Sequence, residues 1–245
     1  MRDIERYQAE YLADYRFERQ IVRYRRRQVL ACLAQYPHRR ILEIGCGVEP
    51  LFAHLEDWEE YTIVEPAEAF AQCARTLVPS GRHVVVHQAL LEDAREALAD
   101  ATFDFVIVSS LLHEVRDPER LVGVVRTLCA PETVVHVNVP NALSLHNRLA
   151  VKMGLIPDAF ARSALAERMQ RTSTYDLHRL AKFVERAGFR VESRGGYFLK
   201  PFSQEQMQRM LDEAIIDERV LDALDDVSSD FPDACAEIYV NVKKA

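Results

Sequence analysis

Two groups of residues in this chain of 245 amino acids have the types and spacing to act on a nucleotide-like ligand. The first is the segment 40–50, RILEIGCGVEP, in which an apolar run is followed by Gly45 and Gly47. Glycines at such a point permit positive φ angles and let a ligand lie against bare backbone. Pro50 suits the first turn of a helix, whose free N–H groups point back toward the glycines. The segment therefore predicts a ligand-binding turn between a strand and a helix.

A carboxylate follows the next predicted strand, where a ribose-binding acid is expected. Glu65 ends the β-type run 61–64, about 20 residues after the glycines, and can accept hydrogen bonds from both ribose hydroxyls. A surface carboxylate at a strand end is the alternative. The turn lacks the Lys and the Ser or Thr of a phosphate-binding P-loop, and Pro50 occupies the place of the third glycine in the dinucleotide motif. Because NAD-binding folds share this acid, Glu65 does not by itself distinguish between cofactors.

A second group of candidate residues follows the predicted fourth strand, where FDFVIVSS leads into LLHEVRDPERLV. His113 is the leading candidate for a general base, since an imidazole with an ordinary pKa of about 6.5 can remove a proton at neutral pH. Packing beside the bound ligand is the alternative for this side chain, and His146 is the second candidate base. Glu114 and Asp117 could join His113 around a divalent metal ion, but they lack a firm ligand spacing, so we expect no metal site.

The elements that would position these residues alternate along the chain between strand and helix. Predicted strands span 40–45, 61–65, 83–88, 103–109 and 132–138, and predicted helices lie near 50–56, 67–77, 92–99 and 117–129. Such alternation predicts an α/β fold in which helices cover both faces of a parallel sheet. Ligands in this architecture bind at the carboxyl ends of the strands, so the glycines, Glu65 and the segment after the fourth strand converge on one crevice.

Three segments resemble parts of the class I S-adenosylmethionine-dependent methyltransferases. Glu43 lies two residues before G-x-G, as in motif I of that class, and Glu49 stands where the family often has a further glycine. The segment around His113 resembles motif IV, which typically reads LEHV or LHHV before DP. The last predicted strand, EIYVNVKK, is similar to the strand that closes the antiparallel hairpin of this class. The resemblance therefore extends in order along much of the chain.

A fold and a division of the chain follow from the resemblance. It implies a Rossmann-like, mostly parallel sheet with helices on both faces and an antiparallel C-terminal strand, with an N-terminal helical extension and a helical insertion after the fifth strand. Residues 1–245 would form a single methyltransferase domain. Its parts would be a helical lid (1–38), a cofactor-binding core (39–138), an acceptor-pocket insertion (139–172) and a C-terminal helix and hairpin (173–245).

The resemblance also implies the chemistry. The chain would transfer a methyl group from the cofactor S-adenosylmethionine to an O or N atom of a small molecule such as a sugar, a carboxylate or a specialised metabolite. The residues implied to bind the cofactor are Glu43, Gly45, Cys46, Gly47, Glu65, Pro66, Leu91, Glu92 and Ser109. Leu91 and Glu92 follow the third strand, where relatives hold adenine, although an acid there also favours the start of a helix. An NAD-dependent Rossmann oxidoreductase and a non-catalytic binding module are the alternatives.

The acceptor is expected to contact residues outside the core of the sheet. The candidates are Tyr11 and Tyr15 in the N-terminal helix, Asn141 at the start of the insertion, and Tyr197 and Lys200 before the final strand. A plain packing face is the alternative for the tyrosines, and helix capping is the alternative for Asn141. These residues would determine which small molecule is methylated.

Composition limits the partners and the compartment. A net charge of −7 gives no attraction to nucleic acid, and the basic run 23–27 is expected to be a solvated helix face. Five scattered cysteines without a C-x-x-C pair favour a reducing compartment. The charged N-terminus and the lack of a long apolar run argue against a signal peptide and a membrane span. We therefore expect a cytoplasmic enzyme with a small-molecule acceptor and no nucleic-acid or membrane partner. A helical run is expected over 203–226, and its acidic end is expected to be a solvated face, with a homodimer edge or an attractor for a cationic acceptor as the alternatives.

Overall fold

The computed structural model describes residues 4–13, 15–161 and 171–245, without the side chains of Tyr7, Leu12, Ala13 and Tyr15. The strands are β1 (Arg40–Ile44), β2 (Glu60–Val64), β3 (His83–His87), β4 (Phe105–Ser109), β5 (Val134–Pro140), β6 (Phe189–Tyr197) and β7 (Glu237–Lys244). Within the described ranges they form one seven-stranded sheet in the spatial order β3-β2-β1-β4-β5-β7-β6.

Neighbouring strands are parallel over most of the sheet and antiparallel at one end. β1 pairs in parallel with β2 and β4, β2 with β3, and β4 with β5. β7 runs in the opposite direction between β5 and β6. The expected Rossmann-like, mostly parallel sheet with an antiparallel C-terminal strand is confirmed. Because the strand order reverses between β1 and β4, the crevice at their carboxyl ends is where such a sheet binds a ligand.

Helices surround this sheet. They are α1 (Ile4–Ala13), α2 (Tyr15–Leu33), α3 (Glu68–Thr76), α4 (Leu91–Ala94), α5 (Pro118–Leu128), α6 (Leu145–Lys152), α7 (Leu177–Arg186), α8 (Gln204–Asp212) and α9 (Glu218–Asp226). Two expected helices are shorter than their patterns suggest: near 50–56 the chain forms only a 3₁₀ turn, Leu51–His54, and α4 replaces the helix expected near 92–99. Among the helices that the structure describes, none is long and apolar enough to cross a membrane.

The helical run expected over 203–226 is interrupted. Ala214 has a φ of 53°, in the left-handed region that ends a helix. Asp217 then caps the next helix, since its side chain accepts hydrogen bonds from the backbone N–H groups of Arg219 and Val220. The run is therefore two helices, α8 and α9.

Alternate residues of the central strands enter two apolar layers, one on each face of the sheet. On β1, Ile41 belongs to one layer and Leu42 to the other, and on β4 Phe105 and Val106 divide in the same way. All four side chains are completely buried. Each contributes about 1.5–3 kcal/mol relative to an exposed position. Burial on both faces explains why these strands read as continuous apolar runs.

The basic run of α2 pairs with the acidic C-terminal helices. The ion pairs are Arg16–Asp212 (2.6 Å), Arg23–Asp222 (3.0 Å), Arg27–Asp225 (3.1 Å) and Arg27–Asp226 (3.1 Å). Beside them, the ring of Tyr24 stacks on that of Phe198 with 4.5 Å between centroids. The arginines at 23 and 27 stay partly exposed, as expected of a solvated face, but they are also paired within the chain. Exposed ion pairs contribute little singly, so the apolar contacts hold most of α2 in place.

Candidate active site

One pocket opens at the carboxyl ends of β1, β2 and β4. Seven of the residues expected to bind the cofactor line it: Glu43, Gly45, Cys46, Gly47, Glu65, Pro66 and Ser109. The N-terminal helices contribute Tyr11, Glu18, Val22, Arg25, Arg26 and Val29. Further lining comes from Ser110, Leu111, Glu114, Arg171 and Gln204. The fold therefore brings segments that are distant in the sequence to one cavity.

The glycine turn has the geometry that its sequence predicts. Gly45 and Gly47 have φ angles of 77° and 59°, which residues with a side chain rarely adopt. The N–H of Gly45 donates to the carbonyl of Val64 at 2.9 Å, so the turn begins as an extension of the β1–β2 pairing. A Cβ atom on Gly47 would meet nothing within 4 Å. The backbone at Gly47 is therefore open to a molecule in the pocket.

Glu65 lies at the end of β2 with its carboxylate held by backbone donors. Its Oε1 accepts from the N–H of Ala67 at 2.8 Å and its Oε2 accepts from the N–H of Gly47 at 3.3 Å. The residue is buried and lines the pocket. Each carboxylate oxygen has further acceptor capacity, which suits the two hydroxyls of a ribose.

Glu43 holds the glycine turn from beneath. Its carboxylate accepts from the N–H of Leu51 at 3.1 Å and from the hydroxyl of Tyr61 at 2.8 Å. Burial raises the pKa of Glu43 to about 7, with the charge of Glu65 acting in the same direction and both hydrogen bonds acting against it. Burial likewise raises the pKa of the Cys46 thiol, so this thiol is neutral and unreactive at neutral pH.

The chain turns sharply after β4, at a place that the sequence analysis did not single out. Ser110 has a φ of 53° without being glycine. Its N–H donates both to the backbone carbonyl of Asn138 at 2.9 Å and to the side-chain Oδ1 of Asn138 at 3.0 Å. Such a conformation costs about 1–3 kcal/mol and persists because neighbouring groups hold it. Asn138 thus sets the path of the segment that leads to Glu114.

Asn138 is part of a buried polar chain across the sheet. Its Nδ2 lies 2.9 Å from Nε2 of His136, whose Nδ1 lies 2.7 Å from Oδ1 of Asn241 on β7. Burial lowers the pKa of His136 to about 4, so the ring is neutral. In the sequence, these hydrogen-bonded side chains are indicated by the alternating polar residues of VVHVNVP, an otherwise apolar strand.

The motif IV segment places Glu114, rather than His113, in the pocket lining. His113 is 3% exposed, and its Nε2 lies 3.4 Å from Oε1 of Glu114 without the geometry of a hydrogen bond. Burial lowers the pKa of His113, and the adjacent carboxylate acts against that shift. If Val115 is matched to the valine of LEHV, Glu114 takes the place of the histidine of that motif. The reversed order, LHEV, was the available signal.

A cluster of buried charges closes the end of the pocket nearest the C-terminal segment. Nη2 of Arg25 lies 3.3 Å from Oε1 of Glu18 and 3.1 Å from Oε1 of Glu237. Gln204 donates to the other oxygen of Glu18 at 3.0 Å, and the Tyr197 hydroxyl donates to the other oxygen of Glu237 at 3.3 Å. Sequence reasoning missed Arg25, because it lies within a run that reads as a solvated face.

The expected adenine-binding residues and the expected N-terminal tyrosines differ in their positions relative to the pocket. Leu91 is in the apolar core and Glu92 is in α4, and neither lines the pocket. Tyr11 does line it, with its ring edge-on to Phe70 at 5.9 Å between centroids. The side chain of Tyr15 lies outside the described residues.

Two of the expected acceptor-binding residues have structural partners instead. Asn141 donates to the carbonyls of Asp233 at 3.1 Å and Cys235 at 2.9 Å, and its Oδ1 accepts from the N–H of Leu143 at 2.9 Å. These bonds fix the start of the insertion against the segment before β7, whereas the N-cap of α6 is Ser144. Tyr197 is buried behind the pocket and holds Glu237, as described above.

Lys200 is buried, His146 is half-buried close enough to feel its charge, and neither lines the pocket. Burial lowers the pKa of Lys200 to about 8, while Glu18 and Glu237 act to raise it. Burial and the charge of Lys200 lower the pKa of His146 to about 3. An imidazole with so low a pKa is a weak base at neutral pH, so this position does not favour the catalytic prediction for His146.

The pocket fits an adenosyl cofactor. The open backbone at Gly47 and the fixed carboxylate of Glu65 lie together at the point where the strand order reverses. Among the described residues, no group of three or more His, Cys, Asp or Glu side chains is placed to hold a metal ion. The fold and the site define a class I methyltransferase whose cofactor is S-adenosylmethionine.

The chain belongs to the family described as a methyltransferase domain, whose profile matches residues 13–194. No curated protein matches the sequence. The expected family and cofactor are confirmed, whereas the atom that receives the methyl group is not identified by this match.

Solved structures share the fold at low sequence identity. A methyltransferase from Thermotoga maritima, described as a possible histamine N-methyltransferase, is 18% identical, with 97% of this chain and 95% of that chain covered and a TM-score of 0.63. The plantazolicin methyltransferase BpumL, solved with S-adenosylhomocysteine, is 12% identical, with 98% and 89% covered and a TM-score of 0.55. The [4+2]-cyclase SpnF is 16% identical, with 89% and 79% covered and a TM-score of 0.55. At these identities the likeness concerns the fold.

Proposed function

We propose that this protein transfers a methyl group from S-adenosylmethionine to an O or N atom of a small molecule. The observation that carries the proposal is a single pocket that contains both the glycine turn with Glu65 and a polar end with Glu114 and Arg171. Holding two reactants in one cavity removes much of the entropic barrier to an in-line displacement. The Thermotoga protein described as a possible histamine N-methyltransferase supports nitrogen as one acceptor atom.

Bound S-adenosylmethionine supplies an electrophilic methyl group on a sulfonium ion. The chain's own residues hold and orient the two molecules. Glu65 offers its carboxylate to the ribose hydroxyls, and the bare backbone at Gly47 accommodates the cofactor beside it. Helix α2 supplies Val22 and Val29 to the pocket lining, which supports its role as part of the N-terminal lid over the acceptor.

In this proposal Glu114 is the general base that removes the proton. A hydroxyl or protonated amine must lose a proton as it is methylated, and a carboxylate that lines the pocket can accept it. His113 lies behind Glu114, 3.4 Å from its Oε1, and both ring nitrogens lack a hydrogen-bond partner among the described residues. We therefore assign His113 a positioning role that acts through Glu114, in place of the general base expected from the sequence.

The direct test measures binding first and transfer second. Calorimetry with S-adenosylhomocysteine, and with NADH in parallel, is expected to give binding of the adenosyl compound alone. Transfer of a labelled methyl group from S-adenosylmethionine to a fractionated small-molecule extract then identifies the product. Absence of binding would refute the cofactor assignment. Methylation of carbon, or of protein or nucleic acid only, would contradict the proposed acceptor.

Partners and compartment follow from the same residues. The arginines of α2 at positions 16, 23 and 27 form ion pairs within the chain, which leaves this run less available to a phosphate backbone. The five cysteines are free thiols, as is usual in a reducing cytoplasm. We infer a cytoplasmic enzyme of small-molecule biosynthesis that does not act on nucleic acid. We propose a homodimer as its assembly, and light scattering tests it.

A further inference from the structure

Two arginines of the pocket carry donors that have no acceptor in the part of the chain that the structure describes. Nε of Arg25, on α2, and Nε of Arg171 are both buried, and neither has a hydrogen-bond partner among the described residues. Both side chains line the pocket. Arg171 Nε lies 3.8 Å from Oε1 of Glu114, beyond hydrogen-bond distance. Because an unpaired buried donor is costly, two in one cavity indicate a ligand group that pairs with them.

The carboxylates beside Arg25 are already engaged. Glu18 accepts from Arg25 through Oε1 and from Gln204 through Oε2. Glu237 accepts from Arg25 through Oε1 and from Tyr197 through Oε2. Each oxygen of these two acids therefore has a donor, whereas the arginines retain spare N–H groups. The unpaired Nε–H donors of the two arginines therefore favour an anion at this end of the pocket.

We propose that Arg25 and Arg171 form a subsite for a carboxylate of the acceptor, which makes an anionic small molecule the substrate class. The inference rests on the proposed function and deepens it. Guanidinium groups bind carboxylates through short, charge-assisted hydrogen bonds that fix orientation as well as position. Glu114 lies beside Arg171, so an acceptor anchored by its carboxylate has its reacting O or N within the same cavity as the proposed base.

The cofactor carries a carboxylate of its own, on its methionine part, and the two sources can be separated. S-adenosylhomocysteine has this group and 5′-methylthioadenosine lacks it. If the arginines serve the acceptor, Arg171→Gln leaves the ratio of the two affinities unchanged. A loss of about 10- to 100-fold for S-adenosylhomocysteine, with methylthioadenosine unaffected, would assign the subsite to the cofactor and overturn the proposal.

The acceptor test uses benzoate, benzamide and benzylamine, which share a ring and carry an anionic, a neutral and a cationic head group. Each is titrated into the whole chain saturated with S-adenosylhomocysteine. Benzoate is expected to bind at least about tenfold more tightly than the other two, because it alone can accept charge-assisted hydrogen bonds from both arginines. Preferential binding of benzylamine, equal binding of all three, or no binding of benzoate would each overturn the proposal.

Variants connect the preference to the two side chains. Arg171→Gln should weaken benzoate binding by about 10- to 100-fold. Arg27→Gln, on α2 but outside the pocket, is the matched control and should leave it unchanged. Arg25→Gln should weaken benzoate binding in the same way. Because Arg25 lies between two acids, Arg25→Lys, which keeps the charge but lacks the Nε–H donor, is used if Arg25→Gln fails to fold. Undiminished benzoate binding in Arg171→Gln would refute the subsite, whereas a wild-type chain that binds no S-adenosylhomocysteine would refute the proposed function and this inference with it.

Discussion

The carboxylate of Glu65 accepts a hydrogen bond from the backbone N–H of Gly47 across 3.3 Å. The bond joins the loop after β2 to the glycine turn after β1. The second oxygen of the carboxylate is held by the N–H of Ala67, so the group cannot rotate freely. The acid and the turn therefore form one unit, and a change in either is expected to affect the other.

Removing the carboxylate of Glu65 should weaken cofactor binding more than it lowers the stability of the fold. Glu65→Ala is expected to reduce S-adenosylhomocysteine affinity by about 1–3 kcal/mol, because a charged hydrogen-bonding group is lost. Calorimetry measures the change. Glu60→Ala, an exposed carboxylate at the start of the same strand, is the control. Equal effects of the two substitutions would remove Glu65 from the cofactor site.

Replacing glycine by alanine at two positions distinguishes backbone strain from obstruction of the ligand pocket. Gly47→Ala and Gly81→Ala both place a Cβ at a positive φ with nothing within 4 Å, so each should cost about 1–2 kcal/mol of folding free energy. Only Gly47 lines the pocket. Denaturant unfolding should thus give similar losses for both variants, while cofactor affinity falls in Gly47→Ala alone. Unchanged affinity in Gly47→Ala would show that no ligand lies against this backbone.

The buried Glu43 makes stability depend on pH. Its pKa rises from 4.5 when exposed to about 7 in the folded chain, so between these values the folded state binds more protons than the unfolded state. The contribution is complete below pH 4.5 and is lost as the pH rises through about 7, by an amount on the order of 3 kcal/mol. Glu43→Gln should flatten this part of the stability curve. The raised pKa would be contradicted if the contribution of Glu43 to stability, measured as the difference between wild type and Glu43→Gln, increased from pH 5 to 8.

Glu114 and His113 are distinguishable by rate and pH profile. Glu114→Gln should slow methyl transfer by about 10² to 10⁴ with little change in cofactor affinity, as expected for a lost general base. His113→Gln should have a smaller effect on the maximal rate and should shift the pH at which activity rises, because His113 acts on the Glu114 carboxylate. A greater rate loss in His113→Gln than in Glu114→Gln would restore His113 as the base.

Loss of Asn138 should affect the pocket from the far side of β4. Asn138→Ala removes the Oδ1 that accepts from the Ser109 hydroxyl and the Ser110 N–H, leaves only the backbone carbonyl at 138 to hold Ser110, and takes away a partner of His136. We expect a destabilisation of about 1–3 kcal/mol. Asn147→Ala, which removes one partly exposed bond to Ala142, should cost less and serves as the control. If activity at a temperature where both variants are folded is the same, Asn138 has no role in positioning the turn.

Local sequence patterns accounted for the sheet and for the cofactor end of the pocket. Apolar runs such as 41–44 and 61–64 are buried on both faces, and glycines at positive φ leave a recognisable spacing. Both features depend on residues close together in the sequence, so the sequence alone is enough to recognise them. Leu91 and Glu92 fall outside the pocket lining, since Leu91 packs into the apolar core at the start of α4 and Glu92 is the next residue of that helix.

The sequence by itself determined the fold class, the glycine turn and the position of the acid after β2, because each depends on backbone conformation and strand order. Only the tertiary structure decided which side chains meet at the acceptor end. In the sequence, Arg25 is one of several arginines in a helix. In the structure it pairs with Glu237, which comes from the far end of the chain. Likewise, Glu114 lines the pocket and His113 does not, although the two are neighbours in the chain and both are buried. Such contacts between distant segments leave no local period or spacing, so chain order alone could not reveal them.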